Sequence, residues 1–175
     1  VVAPTSVCAN WVNETQRFAP TLRPIRFGID DRGRRGQVLE NVGPFDLVIC
    51  SYTLLQQEAE AIKDVHFATI VLDEAQAIKN AATKRSSAAM NLAGGFRMIC
   101  TGTPIENRLS ELWNLFRFIN PGLLGSEERF RERFVRPIEG GRDALASHVL
   151  RAIVQPFILR RTKSQVLEDL PPRTE

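Results

Sequence analysis

Cysteine is scarce: Cys8, Cys50 and Cys100 are the only three in 175 residues, far apart and in apolar surroundings. That number and spacing exclude a disulfide framework and match no metal-ligand pattern, so they read as reduced core thiols. Reduced thiols fit a cytosolic or nuclear compartment. No uninterrupted apolar run approaches the ~20 residues needed to cross a bilayer, and no membrane partner is expected. No sign of charge dominates, since 23 basic and 20 acidic side chains leave a formal +3. Glycine and proline, at 11 and 10, are too few for a collagen-like or low-complexity chain. A signal pattern and an initiator methionine are also absent. The chain opens Val1-Val2-Ala3-Pro4, which reads as a strand entered halfway, so it is expected to be a piece of a longer protein. What remains is a folded chain of a size that buries roughly 70% of its unfolded surface around one core.

Apolar runs alternate with helix-like segments, the pattern of an α/β protein with a largely parallel sheet. Strands are expected at Val1 to Ala3, Ile25 to Ile29, Phe45 to Cys50, Phe67 to Leu72 and Arg97 to Cys100. Thr5 or Ser6 is expected to cap a helix carrying Val7, Trp11, Val12 and Phe18. The basic, glycine-bearing stretch Asp30 to Gly36 reads as a solvated loop. Its arginines, with Arg17, Arg23 and Arg26, read as a solvated cluster before a phosphate-facing patch. A helix is expected from Ser51-Tyr52-Thr53 towards Ala61, and another over Thr83 to Leu92. Leu109, Leu112, Trp113, Leu115, Phe116 and Ile119 recur at helical spacing up to Asn120-Pro121-Gly122. From Ser126 a mixed-charge helix leads to a joint at Gly140-Gly141 and a last helix capped by Asp143. There is no internal repeat.

Two constellations carry chemistry. The apolar strand Thr69-Ile70-Val71-Leu72 delivers Asp73 and Glu74 to its C-terminal end, the ligand-binding edge of an open parallel sheet. One carboxylate there can hold magnesium, usually through water, while the other activates a water. The plainer alternative is that both merely cap the next helix and favour its dipole. The second constellation, Thr101-Gly102-Thr103-Pro104, ends another apolar strand and reaches the same edge. Taken alone it reads as a tight turn stabilised by Thr and Pro.

Val71-Leu72-Asp73-Glu74-Ala75-Gln76-Ala77-Ile78-Lys79-Asn80 resembles motif II, the Walker B segment, of Swi/Snf-type DNA-dependent ATPases within the superfamily-two helicases. Residues 1 to 20 are similar to motif Ia of that family, and 46 to 55 to motif Ib. Residues 100 to 125 resemble motif III with its following helix, and 155 to 175 the signature at the end of the first lobe. Five ordered motifs span nearly the whole chain.

The resemblance implies a RecA-like three-layer lobe with a mainly parallel sheet, whose phosphate-loop strand is missing here, plus a helical extension. The expected division is 1–122 for the truncated lobe, 123–155 for the extension and 156–175 for the lobe junction. It implies ATP and Mg2+ as cofactors of the full-length enzyme, with neither held tightly by this chain alone. Asp73 would hold the metal through water, and Glu74 would activate the hydrolytic water. Gln76, with Thr101, Gly102 and Thr103, would couple nucleotide to DNA. Pro4, Thr5 and Ser6, with Ser51, Tyr52 and Thr53, would line the DNA backbone, and Arg160 and Arg161 would lie near the lobe junction. Implied partners are double-stranded DNA, a DNA-bound protein or complex as remodelling target, and a second RecA-like lobe of the same chain. The place of work is the bacterial cytoplasm at the nucleoid, or the nucleus in a eukaryote.

Many relatives carry His where this chain has Gln76, and an amide removes any titration there. Many carry Gln where this chain has Glu106. No G-x-x-x-x-G-K-[ST] stretch occurs, so the loop that cradles phosphates is absent from these residues. The expectation is therefore a DNA-translocating ATPase whose isolated first lobe is inactive. The alternative is a non-catalytic α/β module for docking DNA or protein.

Overall fold

The computed structural model describes residues 1–29, 32–102, 108–141 and 143–161. Among the described residues the sheet has five strands: β1 (Val2–Ala3), β2 (Arg23–Arg26), β3 (Asp46–Ser51), β4 (His66–Leu72) and β5 (Ala93–Ile99). The order is β2-β3-β1-β4-β5, and all four pairings are parallel. Parallel neighbours need crossovers, and the helices supply them: α1 (Cys8–Phe18), α2 (Arg35–Glu40), α3 (Tyr52–Gln57), α4 (Ala59–Ile62) and α5 (Lys84–Met90). After the sheet come α6 (Leu109–Ile119), α7 (Glu127–Phe130), α8 (Arg136–Glu139) and α9 (Ala144–Val154).

Strand alternation divides the apolar side chains between two faces. Val2, Cys50, Ile70 and Leu72 point into the main core with Tyr52, Leu54 and Leu55 of α3, Ala88 and Ala89 of α5, and Leu115 and Phe118 of α6. Ala3 and Ile49 point the other way, under Cys8, Val7, Trp11 and Val12 of the α1 segment. Helices on both faces of a parallel sheet make the three-layer α/β lobe that the alternation of elements called for.

The chain separates into two compact units, Val1–Phe130 and a second beginning at Arg131. In the second, a π-helical turn, Arg131–Val135, precedes α8. Gly141, at φ 68°, turns the chain into α9, whose N-cap Asp143 accepts from Ala146 N. Phe134, Leu150 and Val154 are its buried apolar side chains among the described residues. No helix among the described residues is long and apolar enough to cross a membrane.

Several expectations shift. Neither Thr5 nor Ser6 caps α1; the N-cap position is Val7, with no side-chain bond, and the turn closes through Val7 N donating to Pro4 O. The stretch expected as a loop is helical from Arg32: a 3-10 turn leads into α2, because Val38 and Leu39 need the main core; residues 30 and 31 lie outside the described set. Arg23 and Arg35 of the basic cluster are paired, with Asp46 and Glu58. The expected strand Ile25 to Ile29 is Arg23–Arg26, and the last strand starts at Ala93, since Ala93 and Gly94 pair in register with His66 and Phe67 of β4. The helix from Tyr52 breaks at Glu58.

Candidate active site

Asp73 follows β4 directly, on the α1 side of the sheet. Its backbone N donates to Val2 O at 2.8 Å. Its carboxylate accepts twice, from Trp11 Nε1 at 2.8 Å on Oδ2 and from Glu74 N at 2.9 Å on Oδ1. Its carbonyl accepts from the buried Tyr52 hydroxyl at 2.9 Å. Four bonds fix one residue.

Glu74 occupies the left-handed region, φ 49° and ψ 53°. A non-glycine residue pays about 1–3 kcal/mol for such a conformation, and it persists where neighbours over-determine it. Here Ala75 N is strapped to Cys100 O at 3.0 Å, beyond the end of β5, and Ala77 N donates to Glu74 O. The turn sends the Glu74 side chain to Gln76, whose Nε2 donates to Oε2 at 2.7 Å. Gln76 Oε1 in turn accepts from the Thr101 hydroxyl at 3.0 Å. Thr101, Gln76 and Glu74 thus form one relay across two strand ends. Beneath it, the fully buried Asn114 donates to Ile78 O and to Ser86 Oγ, pinning the turn after Gln76 to α5 and α6.

Among the described residues neither Asp73 nor Glu74 has a cationic partner. Two adjacent hard oxygen donors without a neutralising arginine or lysine suit a divalent cation. No group of three or more His, Cys, Asp or Glu that could cage a metal occurs among the described residues. Magnesium asks for no cage; one or two carboxylates plus water and substrate phosphates suffice. The donor set therefore fits Mg2+, while the phosphate cradle is not within this sequence. Burial, and then the charges of Asp73 and Glu74, push the Cys100 thiol up. Burial pushes Cys50 up to about 11. Both thiols are protonated at neutral pH and chemically quiet.

The expected DNA-lining residues fall beside one another, because Ala3 and Ser51 are in register. Thr5 and Ser6 are exposed, Pro4 is half-buried, and Thr53 is exposed. Ser51 is half-buried and caps α3, accepting from Leu54 N at 3.2 Å. Tyr52 is different: it is 4% exposed, below the surface and bonded to Asp73. Gly102 is exposed at the edge, whereas Thr103 and Glu106 lie outside the described residues. Arg160 and Arg161 are exposed in the second unit. Trp11 and Asn114 were not singled out from sequence. Asn114 had a signal, a polar residue inside the stripe Leu112-Trp113-Leu115-Phe116. Trp11 had none, being 62 positions from its partner.

Residues 1–175 match the SNF2-related domain family throughout. The chain belongs to that family. The SNF2-related domain described here is similar to the SWI2/SNF2 ATPase core of Sulfolobus solfataricus solved in complex with double-stranded DNA. Identity is 40%, the TM-score is 0.83, and the match covers 97% of this chain and 35% of that one. It is 42% identical, over its full length, to YwqA of Bacillus subtilis, named for ATP-dependent helicase/translocase activity. It is 36% identical to human TATA-binding protein-associated factor 172, over 99% of its residues. The domain spans 19% and 10% of those two proteins.

Proposed function

We propose that this SNF2-related domain is the first lobe of a motor that hydrolyses ATP to track along double-stranded DNA, without separating the strands. The observation that supports it best is the Thr101–Gln76–Glu74 relay beside Asp73. Bound Mg2+, with water and nucleotide phosphates completing its shell, would neutralise phosphate charge. Asp73 would hold it, with two N–H donors fixing the carboxylate's orientation. Glu74, set outward by its left-handed backbone, orients the hydrolytic water and takes its proton. Gln76 cannot titrate, so within the relay the proton stays on Glu74; Thr101, with Gly102 and Thr103, reports movement of the relay to the neighbouring segment.

The hydroxyls of Thr5, Ser6, Ser51 and Thr53 bond backbone phosphates and read no sequence, which suits a motor that works anywhere on DNA. Tyr52 supports that surface from below. The phosphate cradle and a second lobe, with Arg160 and Arg161 near their junction, complete the engine. An arginine finger from that lobe is worth ~10³–10⁵ in rate. The work takes place at duplex DNA, in bacterial cytoplasm or nucleus, with a DNA-bound protein as the object displaced.

In the full-length gene product, Glu74→Gln should retain nucleotide binding and cut hydrolysis by ~10²–10⁴. Asp73→Asn should instead weaken the magnesium–nucleotide complex. Steady-state ATPase and calorimetric binding separate the two, and near-normal turnover in the Glu74 variant overturns the assignment. Residues 1–175 alone should turn over no ATP and bind duplex weakly, without sequence preference and with steep salt dependence. A strong preference for one sequence would favour a docking module.

A further inference from the structure

The two segments that approach DNA in this reading both end on one residue. Pro4-Thr5-Ser6 opens α1, and Val7 O is bonded to Trp11 N at 3.1 Å. One turn later, the Trp11 indole N–H reaches Asp73 Oδ2 at 2.8 Å. Ser51 caps α3, the first residue of which is Tyr52, and that hydroxyl reaches Asp73 O at 2.9 Å. A carboxylate and the carbonyl behind it are thus tethered to the two segments separately. Neither donor is spare. Tyr52 is buried among the side chains of the main core, and the Trp11 ring packs with Ala3, Cys8 and Ile49 on the opposite face. Each ring belongs to its own helix, Trp11 to α1 and Tyr52 to α3.

We propose that Trp11 and Tyr52 are positioning residues that couple DNA occupancy to the magnesium carboxylate. This inference rests on the function proposed above. Phosphates gripped at Thr5–Ser6 and at Ser51–Thr53 shift the starts of α1 and α3, and the two hydrogen bonds carry those shifts to opposite sides of Asp73. The Asp73 oxygens then meet the metal in one geometry with duplex bound and in another without it. Gln76 and Thr101 act on Glu74, so water activation and metal holding are governed by different tethers. Linkage makes the coupling reciprocal: if duplex tightens the magnesium–nucleotide complex, that complex tightens duplex by the same factor.

The test is duplex affinity of the full-length gene product, by fluorescence anisotropy, with and without magnesium and a non-hydrolysable ATP analogue. Trp11→Phe and Tyr52→Phe, singly and together, remove one donor each; Tyr52 keeps its ring, and Trp11 exchanges its indole for a smaller aromatic ring. The unmodified protein should show a nucleotide-dependent change within the ~5–150-fold span usual for coupled sites, and the double variant a change below about 2-fold. Duplex-stimulated ATPase should lose stimulation in parallel, as a rise in the KM for magnesium–ATP. Thermal unfolding of each variant separates lost coupling from lost fold. If the unmodified protein couples and the folded double variant couples equally well, this inference falls and the function stands. An unmodified protein without coupling overturns both.

Discussion

At one margin of the sheet β2 reads Arg23-Pro24-Ile25-Arg26, four residues with a charge at each end and a proline that offers no N–H. Arg23 is held across the first register pair by Asp46 through two bonds, at 2.6 and 2.7 Å. Short, charged and proline-bearing, this edge discourages another strand from adding. At the other margin β5 runs seven residues, Ala93–Ile99, uncharged but for Arg97. Arg97 is turned inward, donating to the Phe118 and Leu92 carbonyls. Phe96 and Met98, in register with Thr69 and Val71, are left 60% and 41% exposed. The same sheet face is closed over β1 and β3, where Ala3 and Ile49 are fully buried under α1. One edge is built to end the sheet; the other carries the apolar face of an interior strand.

The largest effect should come from adding charge to the second edge. Burying ~400 Å² of apolar surface at ~25 cal/mol per Å² is worth about 10 kcal/mol before association costs. Residues 1–175 should therefore self-associate through β5, with scattering mass rising over a concentration series. Phe96→Lys with Met98→Lys should return the chain to monomer, while Arg26→Leu at the β2 edge should change the mass little. A strictly monomeric unmodified chain removes the distinction between the edges.

A second, smaller effect probes how tightly β5 is seated on β4. A Cβ on Gly94 would stand 2.6 and 2.8 Å from Ile70 side-chain carbons and 3.1 Å from Phe67 O. A Cβ on Gly95 would meet only Ala68 O, at 3.3 Å. Gly94→Ala should cost about 1–3 kcal/mol, as overpacking does, and Gly95→Ala less than about 1. Urea unfolding of the two variants checks it, and equal losses would mean that β5 shifts freely on β4.

Sequence and structure part company where distance in the chain grows. Asp73 and Glu74 were legible because an apolar strand ends in two carboxylates, and Asp143 because a small polar residue before a helix caps it. Each signal spans a few residues. The pair Gly94-Gly95 hid the first half of β5, since glycines read as a break until their register with Phe67 supplies the ladder. Thr5 and Ser6 looked like caps by composition, yet Val7 takes that position and leaves both hydroxyls outward. The Trp11 and Tyr52 tethers were beyond reach, because the closure that brings them to Asp73 is made by β1 pairing with both β3 and β4. The left-handed turn at Glu74 was equally hidden, being enforced by Cys100 from the next strand.

The smallest effect belongs to the protected edge and depends on pH. Arg23 donates to both oxygens of Asp46, and Gly43 N donates to one of them at 2.8 Å. The Arg23 bonds first, and the Gly43 bond second, hold the Asp46 carboxyl below the usual carboxylate range. In the unfolded chain the group returns to about 3.9. A carboxyl whose folded value is depressed binds fewer protons folded than unfolded, so stability rises with pH across that interval. The contribution is complete above the unfolded value and is lost as pH falls through the folded one. Asp46→Asn should therefore lower the melting temperature slightly at pH 6, and the gap to the unmodified chain should close near pH 2. High salt should shrink the pH 6 gap, because the Arg23 end of the pair is exposed and screened. A gap that persists unchanged at pH 2 would show that the role of Asp46 does not depend on its charge, and the β2 edge would then be guarded by Pro24 and its length alone.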